Sequence, residues 1–394
     1  MTSRLARLTG VTAKRYLFTP GPTTVPPEVL AALAEPVVHH RGSDFRPLFR
    51  ECLDRLKEVF RTSSEVLLFT ASGTGAMESA VANLCSPGNK VIVVSAGSFG
   101  ERWAQIAERY GCEVVAVRYE WGEAPSADDL AAALVDASGA RAVFLTHSET
   151  STGVVADVQA LAAAVRPSGA HVVVDAISSV GAVPLEVDAW GIDVASAGSQ
   201  KALMTPPGLA MASVSDAVWA PEGRSSSPRY YFDWDRTRRA QEQLDSAFTP
   251  ATSLVVALNV ALGLILDGGL DQAFERHRLL GRACREGAKA MGLELFSPDD
   301  DSAAVVTAIK APEGIDATEL VALLRDKHGI QLANGQAQLK GKIFRIGHIG
   351  YYDVFDIATA LGAVELGLAD LGADVERGVA VTRALDVYAE GAKV

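Results

Sequence analysis

Short apolar or β-branched runs recur at Val66–Phe69, Val91–Val94, Val114–Val117, Ala142–Leu145, His171–Val174 and Leu209–Val214. Runs this short and this uniformly apolar mark strands covered on both faces. Between them lie longer Ala-rich stretches of helical period, such as Asp128–Leu134 and Val158–Val165. Strands that alternate with helices predict βαβ units, a mainly parallel sheet and the α/β class.

The pattern changes after Val214. Residues 219–241 (WAPEGRSSSPRYYFDWDRTRRAQ) hold Pro, Gly, a Ser run, charges and aromatics, and are expected to be a loop-rich insertion. A long apolar helix follows, from about Ala251 to Asp267. Beyond it, helical stretches flank strands near Ala303–Ile309 and Ile343–Ile346, a second and smaller α/β unit. The expected division is an arm over 1–16, a large domain over 17–265, a small domain over 266–375 and a tail over 376–394 whose place is not assigned.

Length and charge narrow the possibilities. A chain of 394 residues with 48% hydrophobic and 21% charged residues can bury a large core, which excludes disorder for its bulk. Its 36 basic and 48 acidic residues leave a net charge of −12, so nucleic acid and anionic membrane are not expected partners. Cys52, Cys85, Cys112 and Cys284 have no metal-ligand or disulfide-framework spacing, and a reducing cytoplasm is the expected location. No apolar run reaches the ~18 residues of a membrane span. The N-terminal MTSRLARLTGVTAKR is basic and free of acids but lacks an apolar core, and reads as an arm.

Three features carry candidate chemistry. Ser72-Gly73-Thr74-Gly75 follows an expected strand and opens a helix, a turn whose free N–H groups can bind phosphate. Taken alone it equally fits a plain helix cap. It is neither a GxGxxG fingerprint nor a P-loop, since Glu78 stands at the third glycine position and no GK[ST] follows. Asp175 ends the buried run Val172–Val174, where open α/β sheets bind ligands. By position it fits a Walker B acid, a metal ligand or the partner of a cationic ring nitrogen. Lys201 lies 26 residues further on, among small and apolar residues (SAGSQKALMTPPG). Desolvation there would lower its pKa towards nucleophilic use, although a solvated loop lysine has the same local sequence. A phosphate turn, a strand-ending acid and then a lysine, in that order, are what a pyridoxal phosphate site needs.

The chain resembles the class V aminotransferases of the fold-type I pyridoxal phosphate superfamily, and within them the alanine–glyoxylate, serine–glyoxylate and serine–pyruvate group. The likeness rests on LFTPGPTTVPPEVL (17–30), TASGTGAMESAVANL (70–84), SAGSFGERW (95–103), THSETSTGV (146–154), VVVDAISSVGAVPLEVDAWGIDV (172–194), SAGSQKAL (196–203), FTPATSL (248–254) and GKIFRIGHIGY (341–351). It implies a large domain with a mainly parallel seven-stranded sheet between helices, a smaller C-terminal α/β domain, and pyridoxal 5'-phosphate as cofactor.

By the resemblance, Lys201 is the Schiff-base lysine and general base, and Asp175 pairs with the ring nitrogen. Ser72, Gly73, Thr74 and Gln200 hold the phosphate, Thr150 lies near the ring's 3-oxygen, and Phe99 stacks on the ring where many relatives have Trp. Thr249 reaches the phosphate from a second subunit, which implies a homodimer with composite sites. Arg345 grips the substrate carboxylate, a task suited to a planar two-point fork, and Gly21 lines the substrate pocket. His39-His40-Arg41-Gly42 reads as pocket wall or interface rather than a metal site, and His147 as structural. The implied reaction is ping-pong transfer of an amino group from a small amino acid, alanine or serine, to glyoxylate or pyruvate. The alternative is another donor, such as aspartate, 2-aminoethylphosphonate or a biosynthetic intermediate, with the Arg224–Arg238 loop reshaping the pocket. A cysteine desulfurase fits poorly, because the last cysteine, Cys284, lies in a helical stretch and Phe99 replaces that group's histidine. A silent binding protein is disfavoured by the intact Lys201.

Overall fold

The computed structural model describes residues 14–220, 224–296 and 298–391. Its centre is a seven-stranded sheet of β1 (Glu65–Phe69), β2 (Lys90–Ser95), β3 (Glu113–Arg118), β4 (Ala142–Thr146), β5 (His171–Asp175), β6 (Val194–Gly198) and β7 (Ala210–Val214), in the order β1-β7-β6-β5-β4-β2-β3. The run from β6 through β5, β4 and β2 to β3 is parallel, and β7 alone runs against its neighbours. The apolar runs form the strands expected of them. The central strands β4, β6 and β7 are buried at every residue, which is why they read as uniform rather than alternating.

Helices cover both faces. The core on one side joins α2 (Phe45–Phe60), α6 (Val158–Val165) and α8 (Thr252–Asp267) to the sheet; that on the other joins α3 (Gly73–Leu84) and α4 (Ser98–Arg109), around Trp103, Phe144 and Trp234. Helix α1 (Pro27–Ala34) rests on α8 through Val29, Ala257 and Ala261, and α5 (Ala127–Asp136) is capped by Ser126, which accepts from the Asp129 N–H. The insertion expected at 219–241 is not wholly loop: it carries α7 (Trp234–Glu242), capped by Asp233 and anchored by buried Trp234, Thr237 and Gln241.

A smaller unit follows. An antiparallel sheet of β8 (Val306–Lys310), β9 (Ala333–Asn334) and β10 (Ile343–Gly347) packs with α9 (Leu270–Ala290), α10 (Val354–Asp370) and α11 (Val379–Gly391). Within the expected tail, α11 buries Ala380, Ala384 and Val387 in this core. Of the N-terminal arm, residues 1–13 lie outside the described residues. Tyr16–Leu17 pairs in parallel with Ile330–Gln331, and Phe18 joins the core of the smaller unit. The following segment, Thr19–Thr23, runs between the two units towards Lys201. Among the described residues no single helix is long and apolar enough to cross a membrane.

Candidate active site

Strands β1, β2, β4, β5 and β6 point the same way, so the segments after them meet at one edge of the sheet, the carboxyl edge where α/β folds bind ligands. A cavity of about 210 Å³ opens there. Of the residues expected at a site, Gly21, Ser72, Gly73, Thr74, Phe99, Asp175, Gln200 and Lys201 all line it. Thr150, Arg345 and Thr249 do not.

Lys201 follows β6 by three residues. Its Nζ donates to the Pro20 carbonyl at 2.7 Å, and its own carbonyl accepts from the Thr23 hydroxyl at 3.0 Å. Burial brings the amine down to about 8; Asp175 opposes this, while Arg345 and Arg102 add to it. Asp175 ends β5 and is buried, with Oδ1 accepting from the Ile177 N–H at 2.9 Å. Burial pushes its carboxyl up to about 7, with a further push from Glu149 and counter-pulls from that N–H, Lys201 and Arg102. No ion pair neutralises Asp175 among the described residues.

Ser72 is the N-cap of α3, with extended backbone and no side-chain capping bond; the Gly75 N–H donates to the Ser72 carbonyl at 2.8 Å, while the Ser72 hydroxyl and the N–H groups of Gly73 and Thr74 are left for a ligand. Gly73 is required by close approach: a Cβ there would lie 2.7 Å from Ile177 Cδ1. Gln200 Oε1 is buried without a partner. The residues therefore fit pyridoxal phosphate in three respects: an uncapped helix start for the phosphate, an uncompensated buried carboxylate for a cationic ring nitrogen, and a buried amine of lowered pKa.

Two residues escaped the sequence reading. Arg102, one turn into α4, holds its guanidinium 4.7 Å from the Phe99 ring centroid and donates to Thr74 Oγ1 at 3.0 Å. Glu149 is buried behind Phe99. Its Oε2 accepts from the N–H groups of Phe99 at 2.9 Å and Gly100 at 3.1 Å, fixing the start of α4. Burial nonetheless leaves its carboxyl above the usual range. The arginine that ends SFGER and the glutamate of HSETS were the available signals.

Arg345, on β10, lies close enough to depress Lys201. Its guanidinium donates to the carbonyls of Asn334 and Thr150, and to no carboxylate among the described residues. Burial brings it down to about 10, against the opposing charge of Glu149. Thr150 is buried, and its carbonyl accepts from Arg345 Nη1 at 2.5 Å. Thr249 lines a separate cleft with Tyr231, Phe248 and Pro250. The arginines of the Arg224–Arg238 loop are engaged elsewhere: Arg224 pairs with Asp235, Arg229 donates to the carbonyls of Ser225 and Ser227, Arg236 covers Tyr230, and Arg238 pairs with Glu242.

The family model of class-V aminotransferases matches residues 15–348. The chain belongs to the class-V aminotransferase family. A serine–glyoxylate aminotransferase of Methylorubrum extorquens is 36% identical over 94% of this chain and 95% of its own length. An L-aspartate–glyoxylate aminotransferase of Paracoccus denitrificans is 35% identical, over 96% of this chain and 97% of its own. The crystal structure of the ureidoglycine–glyoxylate aminotransferase of Bacillus subtilis superposes with a TM-score of 0.90, at 32% identity, over 96% of this chain and 99% of that one. The protein is an aminotransferase, and membership of the family implies pyridoxal 5'-phosphate.

Proposed function

We propose that this protein transfers the amino group of a small, uncharged amino acid, alanine or serine, to glyoxylate or pyruvate. The reading rests on one observation: Lys201, Asp175, the Ser72–Thr74 turn, Phe99 and Gln200 converge on one cavity, and Arg345, whose charge is felt at Lys201, bonds to carbonyls and to no carboxylate among the described residues.

Ser72, Gly73, Thr74 and Gln200 would hold the cofactor phosphate, with Arg102 adding positive charge at Thr74. Phe99 would cover one face of the ring, and Asp175 would keep its nitrogen protonated. The bound cofactor supplies an electron sink for the carbanion formed at the donor's α-carbon. Arg345 orients the donor carboxylate. Lys201 Nζ, as the neutral amine, would take the donor's α-proton and hold it within the cavity for return. The buried walls exclude water while that proton is in transit. The oxo acid product leaves before the second oxo acid enters.

The donor preference follows from the cations. A dicarboxylic donor needs a second free cation beside Arg345; Arg102, at the cavity, serves Thr74 of the phosphate turn, and the loop arginines of the same chain are committed elsewhere. The aspartate-using relative favours the second reading, in which the cation comes from another subunit. Thr249, which lines a different cleft from the Lys201 cavity of its own chain, supports a homodimer in which a second copy's Thr249 completes each site. Screening half-reactions with alanine, serine and aspartate by the cofactor's absorbance change tests the assignment. Faster conversion with aspartate than with both others would overturn the small-donor reading.

A further inference from the structure

One short segment, His147–Ser151, reaches three parts of the Lys201 site. The His147 backbone N–H donates to the Asp175 carbonyl at 2.9 Å. The Thr150 carbonyl accepts from Arg345. Between them, the Glu149 side chain reaches the backbone of Phe99. The segment is itself held in place: Ser148–Glu149 pairs with Val154–Val155 in a small hairpin, and the Glu149 carbonyl accepts from the N–H groups of Thr152 and Gly153.

Helix α4 cannot cap itself. Its N-cap is Gly97, which has no side chain to accept from the first N–H groups. Glu149, 50 residues beyond Phe99, supplies the acceptor from another part of the chain. Its Oε2 takes the N–H groups of Phe99 and Gly100. Its Oε1 takes the N–H of Ser151 at 3.1 Å and the Ser151 hydroxyl, whose oxygen accepts in turn from the Ser98 N–H at 3.0 Å. Four donors on two oxygens suit the anion and fix its orientation. Glycine at position 97 admits the carboxylate, since a Cβ there would lie 2.5 Å from Glu149 Cδ. Glu149 and Ser151 are buried and do not line the Lys201 cavity, whereas Phe99 and Arg102, on the first turns of the helix they hold, both do.

We propose that Glu149 is a positioning residue of this enzyme: its carboxylate fixes the start of α4 so that the Phe99 ring stays against the cofactor ring and Arg102 stays at the phosphate turn. The inference rests on the cofactor site proposed above. Glu149 acts through Phe99 and touches neither cofactor nor substrate. Loosening that turn would move ring and arginine together, because the Arg102 guanidinium lies over Phe99 and donates to Thr74.

The test is a double-mutant cycle read as the dissociation constant of pyridoxal 5'-phosphate, by visible absorbance titration of the cofactor-free protein. Visible circular dichroism of the bound cofactor is the second readout. Glu149→Gln keeps the shape, removes the charge and turns one acceptor into a donor that faces donors. It should weaken the cofactor at least tenfold and lower the circular dichroism per bound cofactor by at least half. In a Phe99→Leu background the same change should cost less than threefold, because the ring through which Glu149 acts is gone. Ser151→Ala leaves Glu149 in place and removes the hydroxyl between it and Ser98. It should weaken the cofactor severalfold, and carries the same cycle if Glu149→Gln fails to fold. Equal factors in the two backgrounds would make the role structural only and overturn the proposal, as would less than a twofold change in both variants or an unchanged circular dichroism. If the wild type takes up no cofactor on Lys201, the site reading falls and this inference with it. If the wild type does and the variants match it, this inference alone falls.

Discussion

A Cβ placed on Gly21 would lie 2.5 Å from Lys201 Nζ, and the Gly21 φ of +136° is one that side-chain-bearing residues rarely adopt. The TPGP segment and the lysine thus share a space that only glycine leaves open. Gly21→Ala should displace the Lys201 amine and strain the segment by about 1–3 kcal/mol. The expected outcome is a lowered melting temperature and at least a tenfold slower reaction of Lys201 with an added aldehyde. An unchanged rate would mean that the lysine does not depend on this packing.

Lys201 should titrate near 8 in the cofactor-free protein. The neutral amine is the nucleophile, so labelling by an amine-selective reagent should rise with pH and reach half its maximum near pH 8. Arg345 contributes to that lowering, so Arg345→Gln should move the midpoint upwards. Mass-spectrometric labelling of the Lys201 peptide across pH 6–11 reads both. A midpoint near the ordinary lysine value of 10.5 would contradict the burial of the amine.

Asp175 carries a stability cost with a definite sign. Its folded pKa of about 7 exceeds the ordinary 3.8, so the folded state holds its proton longer than the unfolded state. Its contribution to stability is full below about pH 4 and is lost as pH rises through 7. Cofactor-free Asp175→Asn should therefore gain on the wild type between pH 4 and 8, by roughly 2–4 kcal/mol at most. The same change should weaken cofactor binding and lower turnover by orders of magnitude, because a neutral ring nitrogen is a poorer electron sink. Denaturant unfolding at pH 5 and pH 8, with steady-state rates, checks both halves.

Much of this was legible in the chain. Strands β1, β2, β4, β5 and β7 announce themselves as apolar runs because most of their residues are buried, while β3, at the sheet edge, is only half-buried and shows through its β-branched residues. Strand β6 does not: its residues VASAG are small, and the neighbouring helices and strands bury them without a strong hydrophobic signal. Helix α7 was hidden for the opposite reason, since WDRTRRAQE is almost wholly polar and is held by a cap and three buried side chains. At the site, residues next to glycine turns or at strand ends were readable because their backbone setting is distinctive. Arg102 and Glu149 were not, since each acts across tens of residues, on Thr74 and on Phe99 respectively. The bond from Arg345 to the Thr150 carbonyl was likewise hidden, since it joins residues 195 apart in the chain.

Arg345→Lys keeps the charge but cannot span Asn334 and Thr150 while gripping a carboxylate at two points. It should raise KM and lower kcat/KM by roughly 1–3 kcal/mol in transition-state terms. The loss should be similar for alanine and serine, since both present the same α-carboxylate. Steady-state kinetics with both donors is the check; unaffected kinetics would remove Arg345 from the substrate site.

The central claim is that Lys201 is the covalent anchor of the cofactor and the base of the reaction. The most direct measurement is borohydride reduction of the cofactor-loaded protein, followed by mass spectrometry of its peptides and parallel assay of Lys201→Ala. The yellow colour should be lost, the phosphopyridoxyl mass should appear on Lys201 alone, and Lys201→Ala should retain cofactor without turnover. A label on another lysine, or substantial transamination by Lys201→Ala, would contradict it.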